Sequence, residues 1–282
     1  MLLRRPLILF LLVLFPGLAA AAGPLSVFVS VVPQETFVSR VGGDHVRVRA
    51  MVRPGQNPHA FEPTARQIAA LAGAELYVRI GLGFEDAWMT RLRAANPGMR
   101  VLDAREGIAL RPGGHGHDRG ELDPHIWTSP RVVKIMGARI RNVLSELAPD
   151  HAADFAANYQ SLAADLDALD AAIRDRLAGL QRRRFLVYHP AWGYFAQDYG
   201  LEQVVIEKEG KEPGARALAE LIDQARRDGI RVVLVQPQIN PASAERVAQA
   251  IDGRVAAIDP LAGDYFANMR RVAELIAEAG HP

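Results

Sequence analysis

The chain has 282 residues, of which 49% are hydrophobic and 23% are charged, and its formal net charge at pH 7 is +1. This length is enough for two α/β domains with apolar cores. The near-neutral charge, with no basic stripe, argues against a nucleic-acid partner. The absence of cysteine excludes disulfides and thiolate metal sites. Composition therefore bounds the class of protein without indicating a function.

The first 22 residues are typical of a cleaved export signal. Arg4 and Arg5 form a basic segment, an apolar run covers residues 7–15, and small residues at 17–22 supply a signal-peptidase site. The apolar run is too short to span a membrane. Because no cysteine follows it, we expect an exported protein without a lipid anchor.

Strands and helices alternate along the rest of the chain. The predicted strands are residues 25–32, 46–52, 75–80, 100–103, 185–189, 204–206, 232–235 and 255–258. Amphipathic segments between them predict helices, each near a helix-starting or helix-ending residue. This alternation predicts an α/β fold with parallel sheets that are covered by helices on both faces.

The longest helical pattern covers residues 149–181. Pro149 suits its first turn and Gly179 suits its end. We therefore predict an N-terminal α/β lobe at residues 23–148, a linking helix at 149–181 and a C-terminal α/β lobe at 182–282. The apolar residues of the pattern recur every three or four positions and form one stripe: Phe155, Tyr159, Leu162, Leu166, Leu169, Ile173, Leu177 and Leu180.

Four side chains lie where an open parallel sheet binds its ligands, beyond the carboxyl ends of strands. His59 follows the second strand, His125 ends the loop after the fourth, and His189 and Asp259 end strands of the second half. Three neutral imidazoles and one carboxylate match four-coordinate zinc, whereas a manganese site would be expected to carry more oxygen. No pair has the spacing of a local zinc motif, so a purely structural role for each histidine stays open.

Longer segments surround these residues. They are Asn57-Pro58-His59-Ala60-Phe61-Glu62-Pro63, Asp123-Pro124-His125-Ile126-Trp127 and Tyr188-His189-Pro190-Ala191-Trp192-Gly193-Tyr194-Phe195. Together with residues 81–85, 212–213 and 258–261, they resemble the signature segments of the zinc/manganese solute-binding proteins of ABC importers. The resemblance covers nearly the whole chain after the export signal, in order.

This resemblance implies two lobes joined by one long helix, with a metal between them. It assigns His59 and His125 to the first lobe, and His189 and Asp259 to the second. Manganese-type members tend to carry glutamate in place of the third histidine, so His189 favours Zn2+. The implied function is not enzymatic: a periplasmic, monomeric protein delivers zinc to an ABC permease in the inner membrane. A periplasmic zinc chaperone is a further implied partner.

Two other functions stay open at this point. One is a manganese- or iron-binding importer component on the same fold. The other is a zinc hydrolase with three histidine ligands and a bound water, in which Asp259 or Glu62 would act as general base.

The remaining histidines have weaker signals. His115 and His117 lie in a glycine-rich loop that is shorter than the histidine-rich loop of many zinc members, and we expect that they do not hold the principal metal. His45, His151 and His281 have no motif around them, and we predict that they are surface residues.

Overall fold

The computed structural model of the chain describes residues 23–113, 122–207 and 211–280. The predicted export signal, His115 and His117 lie outside these ranges. Within them, eight strands form two parallel four-stranded sheets, which confirms the predicted α/β fold class. The strands are β1 (Leu25–Val29), β2 (Val46–Ala50), β3 (Leu76–Arg79), β4 (Arg100–Asp103), β5 (Arg184–Val187), β6 (Glu202–Val205), β7 (Val232–Val235) and β8 (Arg254–Ala257).

The two sheets share one strand order. The first runs β2-β1-β3-β4 and the second runs β6-β5-β7-β8. In each sheet, the second strand pairs on one side of the first strand and the third strand pairs on its other side. The strand order therefore reverses between β1 and β3 and between β5 and β7. Ligands of open α/β sheets bind at such reversals, beyond the carboxyl ends of the strands.

Helices cover both sheets. They are α1 (Val32–Gly42), α2 (Ala65–Leu71), α3 (Gly83–Ala95), α4 (Pro130–Leu147), α5 (Ala152–Arg176), α6 (Gly193–Asp198), α7 (Ala215–Arg227), α8 (Ala242–Ala250) and α9 (Tyr265–Gly280). Short 3-10 helices at Gly43–His45, Pro58–Ala60, Ile126–Thr128 and Pro149–His151 precede β2, α2, α4 and α5. In the part of the chain that the structure describes, no helix has the length and apolar character needed to cross a lipid bilayer.

The linking helix is shorter than the sequence pattern predicts. Its regular part, α5, begins at Ala152 and ends at Arg176 instead of reaching residue 181. The chain turns at Leu177, and Gly179 has φ +76°, a left-handed conformation that ends a helix at little cost for glycine. Seven of the eight stripe residues are nevertheless buried and Tyr159 is half-buried; the last two, Leu177 and Leu180, enter the core from the turn that follows α5. The predicted division into two lobes at residues 148 and 182 stays a prediction.

The two sheets share one apolar core. Helix α5 packs against α1, α4 and α9, and buried residues of both sheets belong to the same cluster. The last helix, α9, crosses back towards the first lobe: Tyr265 packs edge-on against Phe37 of α1, with ring centroids 4.8 Å apart. The Thr36 hydroxyl also donates a hydrogen bond of 3.0 Å to the Gly263 carbonyl. A second helix thus reinforces the connection that α5 provides.

A buried glutamate organises the carboxyl edge of the first sheet. Glu85, in the first turn of α3, is 0% exposed and accepts hydrogen bonds from the backbone N–H groups of Ile80 (3.0 Å) and Leu82 (3.1 Å). The Ser30 hydroxyl, beyond the end of β1, donates to the same carboxylate, and Arg79 of β3 forms an ion pair with it. Burial raises the pKa of Glu85, and these donors oppose that rise. The network fixes the loop after β3 at the edge where the candidate site lies.

We expect Glu85→Ala to lower the free energy of unfolding by about 3–5 kcal/mol, because it leaves several buried backbone N–H groups without their acceptor and removes one ion-pair partner of Arg79. Urea unfolding followed by circular dichroism measures this change. Asp86→Ala is the matched control: Asp86 also pairs with Arg79, but its side chain is 68% exposed, so its loss should cost about 0–1 kcal/mol. Equal effects of the two substitutions would contradict the role given to Glu85.

Candidate metal centre

Three of the four predicted site residues converge at one point. The Nε2 atom of His189 lies 3.1 Å from Nε2 of His59 and 3.2 Å from Nε2 of His125. One ring nitrogen from each of the three lies within 4.8 Å of the others. The rings are tilted against one another by 51–76°, so they surround a common point instead of stacking.

This geometry is close to that of a zinc site. Nitrogens bound to zinc at about 2.0–2.1 Å and at tetrahedral angles lie about 3.3 Å apart, near the two Nε2 distances observed. Imidazole also suits zinc better than it suits magnesium, calcium or manganese, which favour oxygen donors. The three side chains can therefore bind a zinc ion with little movement.

Asp123 orients the first buried imidazole. His125 is 2% exposed and Asp123 is 3% exposed. The Oδ1 atom of Asp123 accepts the backbone N–H of His125 at 3.0 Å and lies 2.8 Å from the Nδ1 atom of the same residue. Because a carboxylate can only accept, Nδ1 carries the ring proton, which leaves the Nε2 lone pair directed at the cluster.

Glu207 orients the second buried imidazole in the same way. Its Oε1 atom lies 2.6 Å from Nδ1 of His189, and the two side chains are 6% and 9% exposed. Both residues follow neighbouring strands, β5 and β6, and the Glu207 N–H donates to the Tyr188 carbonyl at 3.1 Å. The role of Glu207 was not predicted from the sequence. A signal existed, since an acidic residue directly after a predicted strand can orient a metal-binding histidine that follows a neighbouring strand.

His59 differs from the other two because its residue is exposed. It lies in the 3-10 helix that follows β2, where the side-chain oxygen of Asn57 accepts the His59 backbone N–H at 2.9 Å. This capping bond fixes the turn and directs the histidine towards the cluster. Glu62, the alternative general base, is an exposed residue.

Asp259 is not a member of the three-histidine group. It is the second residue after β8, at the expected strand end. Its Oδ1 atom accepts hydrogen bonds of 2.9 Å from the Gln238 side chain and from the Leu261 backbone N–H. The Asn268 side chain donates to the Asp259 carbonyl at 2.7 Å. Hydrogen bonds thus hold both the backbone and the side chain of Asp259 in place, and one of its carboxylate oxygens already accepts two of them.

Trp127 links the two lobes beside the site. Its ring lies 5.2 Å from the His125 ring, and its Nε1 donates a hydrogen bond of 2.6 Å to the Pro260 carbonyl, next to Asp259. At 1% exposed, it also excludes water from one side of the cluster. Trp127 therefore ties the segment that carries His125 to the segment that carries Asp259.

Tyr194 holds the loop that carries Asp123. Its hydroxyl donates to the Asp123 carbonyl and accepts the Arg111 backbone N–H, each at 3.1 Å. Burial raises the pKa of Tyr194, so its hydroxyl stays neutral and keeps its proton for this bond. Residues 111 and 123 are the two ends of the segment that contains His115 and His117, which lie outside the described residues.

Comparison with known proteins identifies the family. The family model described as "Zinc-uptake complex component A periplasmic" matches residues 27–279, nearly the whole described chain. The chain belongs to this family of zinc solute-binding proteins of ABC importers.

Individual relatives agree with this assignment. The zinc-binding lipoprotein AdcA of Streptococcus pneumoniae serotype 4 is 30% identical over 256 residues, which are 86% of this chain but 51% of AdcA. The chain thus spans about half the length of that relative. A crystal structure of ZnuA is 40% identical, with a TM-score of 0.88 over 92% of this chain and 100% of that chain. A zinc-bound ZnuA with residues 138–173 deleted has the same identity and TM-score and covers 92% and 99% of the two chains.

The orienting role of Glu207 can be tested directly. We expect Glu207→Gln to weaken zinc binding by about 10–100-fold, because an amide that accepts the His189 proton lacks the negative charge that makes the imidazole a better donor to a cation. Competition with a fluorescent zinc chelator measures the change.

Glu202→Gln is the matched control for this measurement. Glu202 begins the same strand, β6, but its side chain is 62% exposed and pairs with Arg184. Unchanged affinity in Glu207→Gln, or an equal loss in Glu202→Gln, would contradict the role given to Glu207.

Proposed function

We propose that this chain is the zinc-binding component of an ABC-type importer and delivers Zn2+ to a membrane permease. The observation that carries the proposal is the convergence of three imidazole Nε2 atoms, two of them on rings held by buried carboxylates. Family membership supports it, as do relatives that are named for zinc binding. No chemical step is required of such a protein, so the proposal is that it is not an enzyme.

The proposed ligands are His59, His125, His189 and Asp259. Asp259 enters through its second carboxylate oxygen, because Gln238 and Leu261 already donate to the first. Its carboxylate neutralises one charge of the metal and fills the fourth position of a tetrahedral site. With four protein donors, no position remains for the activated water that a hydrolase needs.

The metal is proposed to be zinc rather than manganese or iron(II). Three nitrogen donors and one oxygen favour zinc over manganese. The carboxylates of Asp123 and Glu207 supply negative charge through the imidazoles instead of through additional metal–oxygen bonds.

The proposed location is the periplasm, with residues 1–22 acting as the export signal. The AdcA relative is named a lipoprotein, whereas this chain has no cysteine. The partner proposed from the family is an ABC permease. A monomeric state, a zinc chaperone as a second partner and the division into lobes at residues 148 and 182 belong to the same proposal.

Asp259 decides between a carrier and a hydrolase. We expect Asp259→Ala to weaken zinc binding by more than about 10–100-fold, since removal of a direct ligand should cost more than a change in a hydrogen-bonded neighbour of a ligand. His189→Ala should have a larger effect, because only one ligand from the second half of the chain then remains. Isothermal titration with zinc, in competition with a chelator, measures both.

The control is Asp264→Asn. Asp264 lies in the same segment and caps the first turn of α9, accepting the Ala267 N–H at 3.0 Å, a role that asparagine preserves. Full zinc affinity in Asp259→Ala would overturn its role as a ligand and favour a three-histidine site with a bound water.

We also expect zinc to change the overall shape very little. The apolar core is continuous across α5 and α9, so closing the lobes would require breaking well-packed contacts. Small-angle scattering should show radii of gyration for metal-free and zinc-bound protein that agree within about 1 Å. Trp127→Phe, which removes the hydrogen bond to Pro260, should enlarge any difference. A large zinc-dependent contraction of the unaltered protein would contradict this expectation.

A further inference from the structure

A second group of side chains that can bind a metal lies at the opposite ends of the strands of the first sheet. His45 is the last residue of the 3-10 helix before β2, and His151 is the last residue of the 3-10 helix before α5. Asp154 lies in the first turn of α5. One donor atom from each of the three lies within 4.8 Å of the others. This group is at the amino ends of the strands, whereas His59, His125 and His189 lie beyond the carboxyl ends.

The carboxylate of Asp154 lies beside both imidazoles. Its Oδ2 atom is 3.0 Å from Nε2 of His45 and 4.0 Å from Nδ1 of His151. The two rings are stacked, with centroids 3.8 Å apart and planes 15° apart. Both rings pack in T-shaped contacts against Phe155, which is 0% exposed and provides apolar packing next to them.

We propose that His45, His151 and Asp154 form a second, exchangeable site for Zn2+. Two imidazole nitrogens and one carboxylate oxygen are three of the four donors of a tetrahedral zinc site. The Asp154 side chain is 61% exposed, so water can supply the fourth donor. The proposal does not depend on the function proposed for the three-histidine site.

The stacked rings require a local rearrangement. Two nearly parallel imidazoles cannot both direct their lone pairs at one ion, so one ring must rotate about its side-chain bonds. The His45 and His151 side chains are 29% and 39% exposed, and both line a cavity of about 230 Å³, which gives a ring room to turn. Asp150 lines the same cavity and adds negative charge that attracts a cation.

This rearrangement and the exposure of the donors set the expected affinity. The principal site has buried carboxylates that hold His125 and His189 in place, and such partners are worth about 10–100-fold in metal affinity. We therefore expect the second site to bind zinc at least about a hundredfold more weakly than the first. Bound zinc would tie the start of β2 to the start of α5.

The test uses the whole chain with His115→Ala and His117→Ala, so that the imidazoles of that segment cannot bind zinc. Native mass spectrometry and calorimetric titration with zinc should show two ions, one tight and one weaker. Adding His45→Gln or Asp154→Ala to this background should weaken only the second event, by more than about 10-fold. Adding His281→Ala, the matched imidazole control, should leave both events intact.

A chemical readout covers the case in which a variant folds poorly. In the background protein, diethyl pyrocarbonate modifies accessible imidazoles, and peptide mass spectrometry locates them. The second equivalent of zinc should protect His45 and His151 but not His281. A single zinc-binding event, a second event that survives His45→Gln, or modification of His45 and His151 that continues at two bound equivalents would each overturn the proposal and leave these residues as a hydrogen-bonded contact only.

Discussion

The Nε2 atom of His189, held 3.1 Å from that of His59 and 3.2 Å from that of His125, is the constraint on which the rest of this structure depends. Lone pairs at such a distance repel unless a proton or a metal ion lies between them. Two buried carboxylates, Asp123 and Glu207, fix the ring tautomers of His125 and His189 so that their Nε2 lone pairs face the cluster, which makes it ready for a cation. The surrounding packing has to keep these groups in place, and the buried positions of Trp127 and Tyr194 are explained by that requirement.

The two lobes repeat one strand order but use it differently. The strand next to the reversal is β1 in the first sheet and β5 in the second. Beyond β1, Ser30 joins the fully buried Glu85 network, which stabilises the loop after β3. Beyond β5, the equivalent position leads directly to His189. The same topology thus supplies a rigid loop in the first half of the chain and a candidate ligand in the second. The continuous apolar core along α5 and α9 keeps the carboxyl ends of the two sheets facing each other.

The sequence predicted the features that are set by local periodicity and by strand ends. The alternation of strands and helices gave the fold class, and the apolar stripe of the linking helix gave its buried face. The end of that helix was misplaced because Leu177 and Leu180 continue the stripe from a turn, where periodicity alone cannot distinguish them from helical residues. Glu207 was missed because its role depends on a neighbouring strand. His45 and His151 were read as isolated surface residues because only the tertiary fold brings the 3-10 helix before β2 to the start of α5.

The difference in exposure among the three histidines fits a protein that must release what it binds. His125 and His189 are nearly buried and each has a carboxylate behind it, so their nitrogens form a fixed pair of donors. His59 is exposed and is held through the backbone of a short turn, so it can leave the metal without exposing a buried charge. Under the proposed function, a metal held by these two fixed imidazoles, by Asp259 and by a movable His59 would be retained in solution and yet transferred stepwise once His59 leaves. A site in which all donors were buried would bind as well but would have to unfold locally to release its metal.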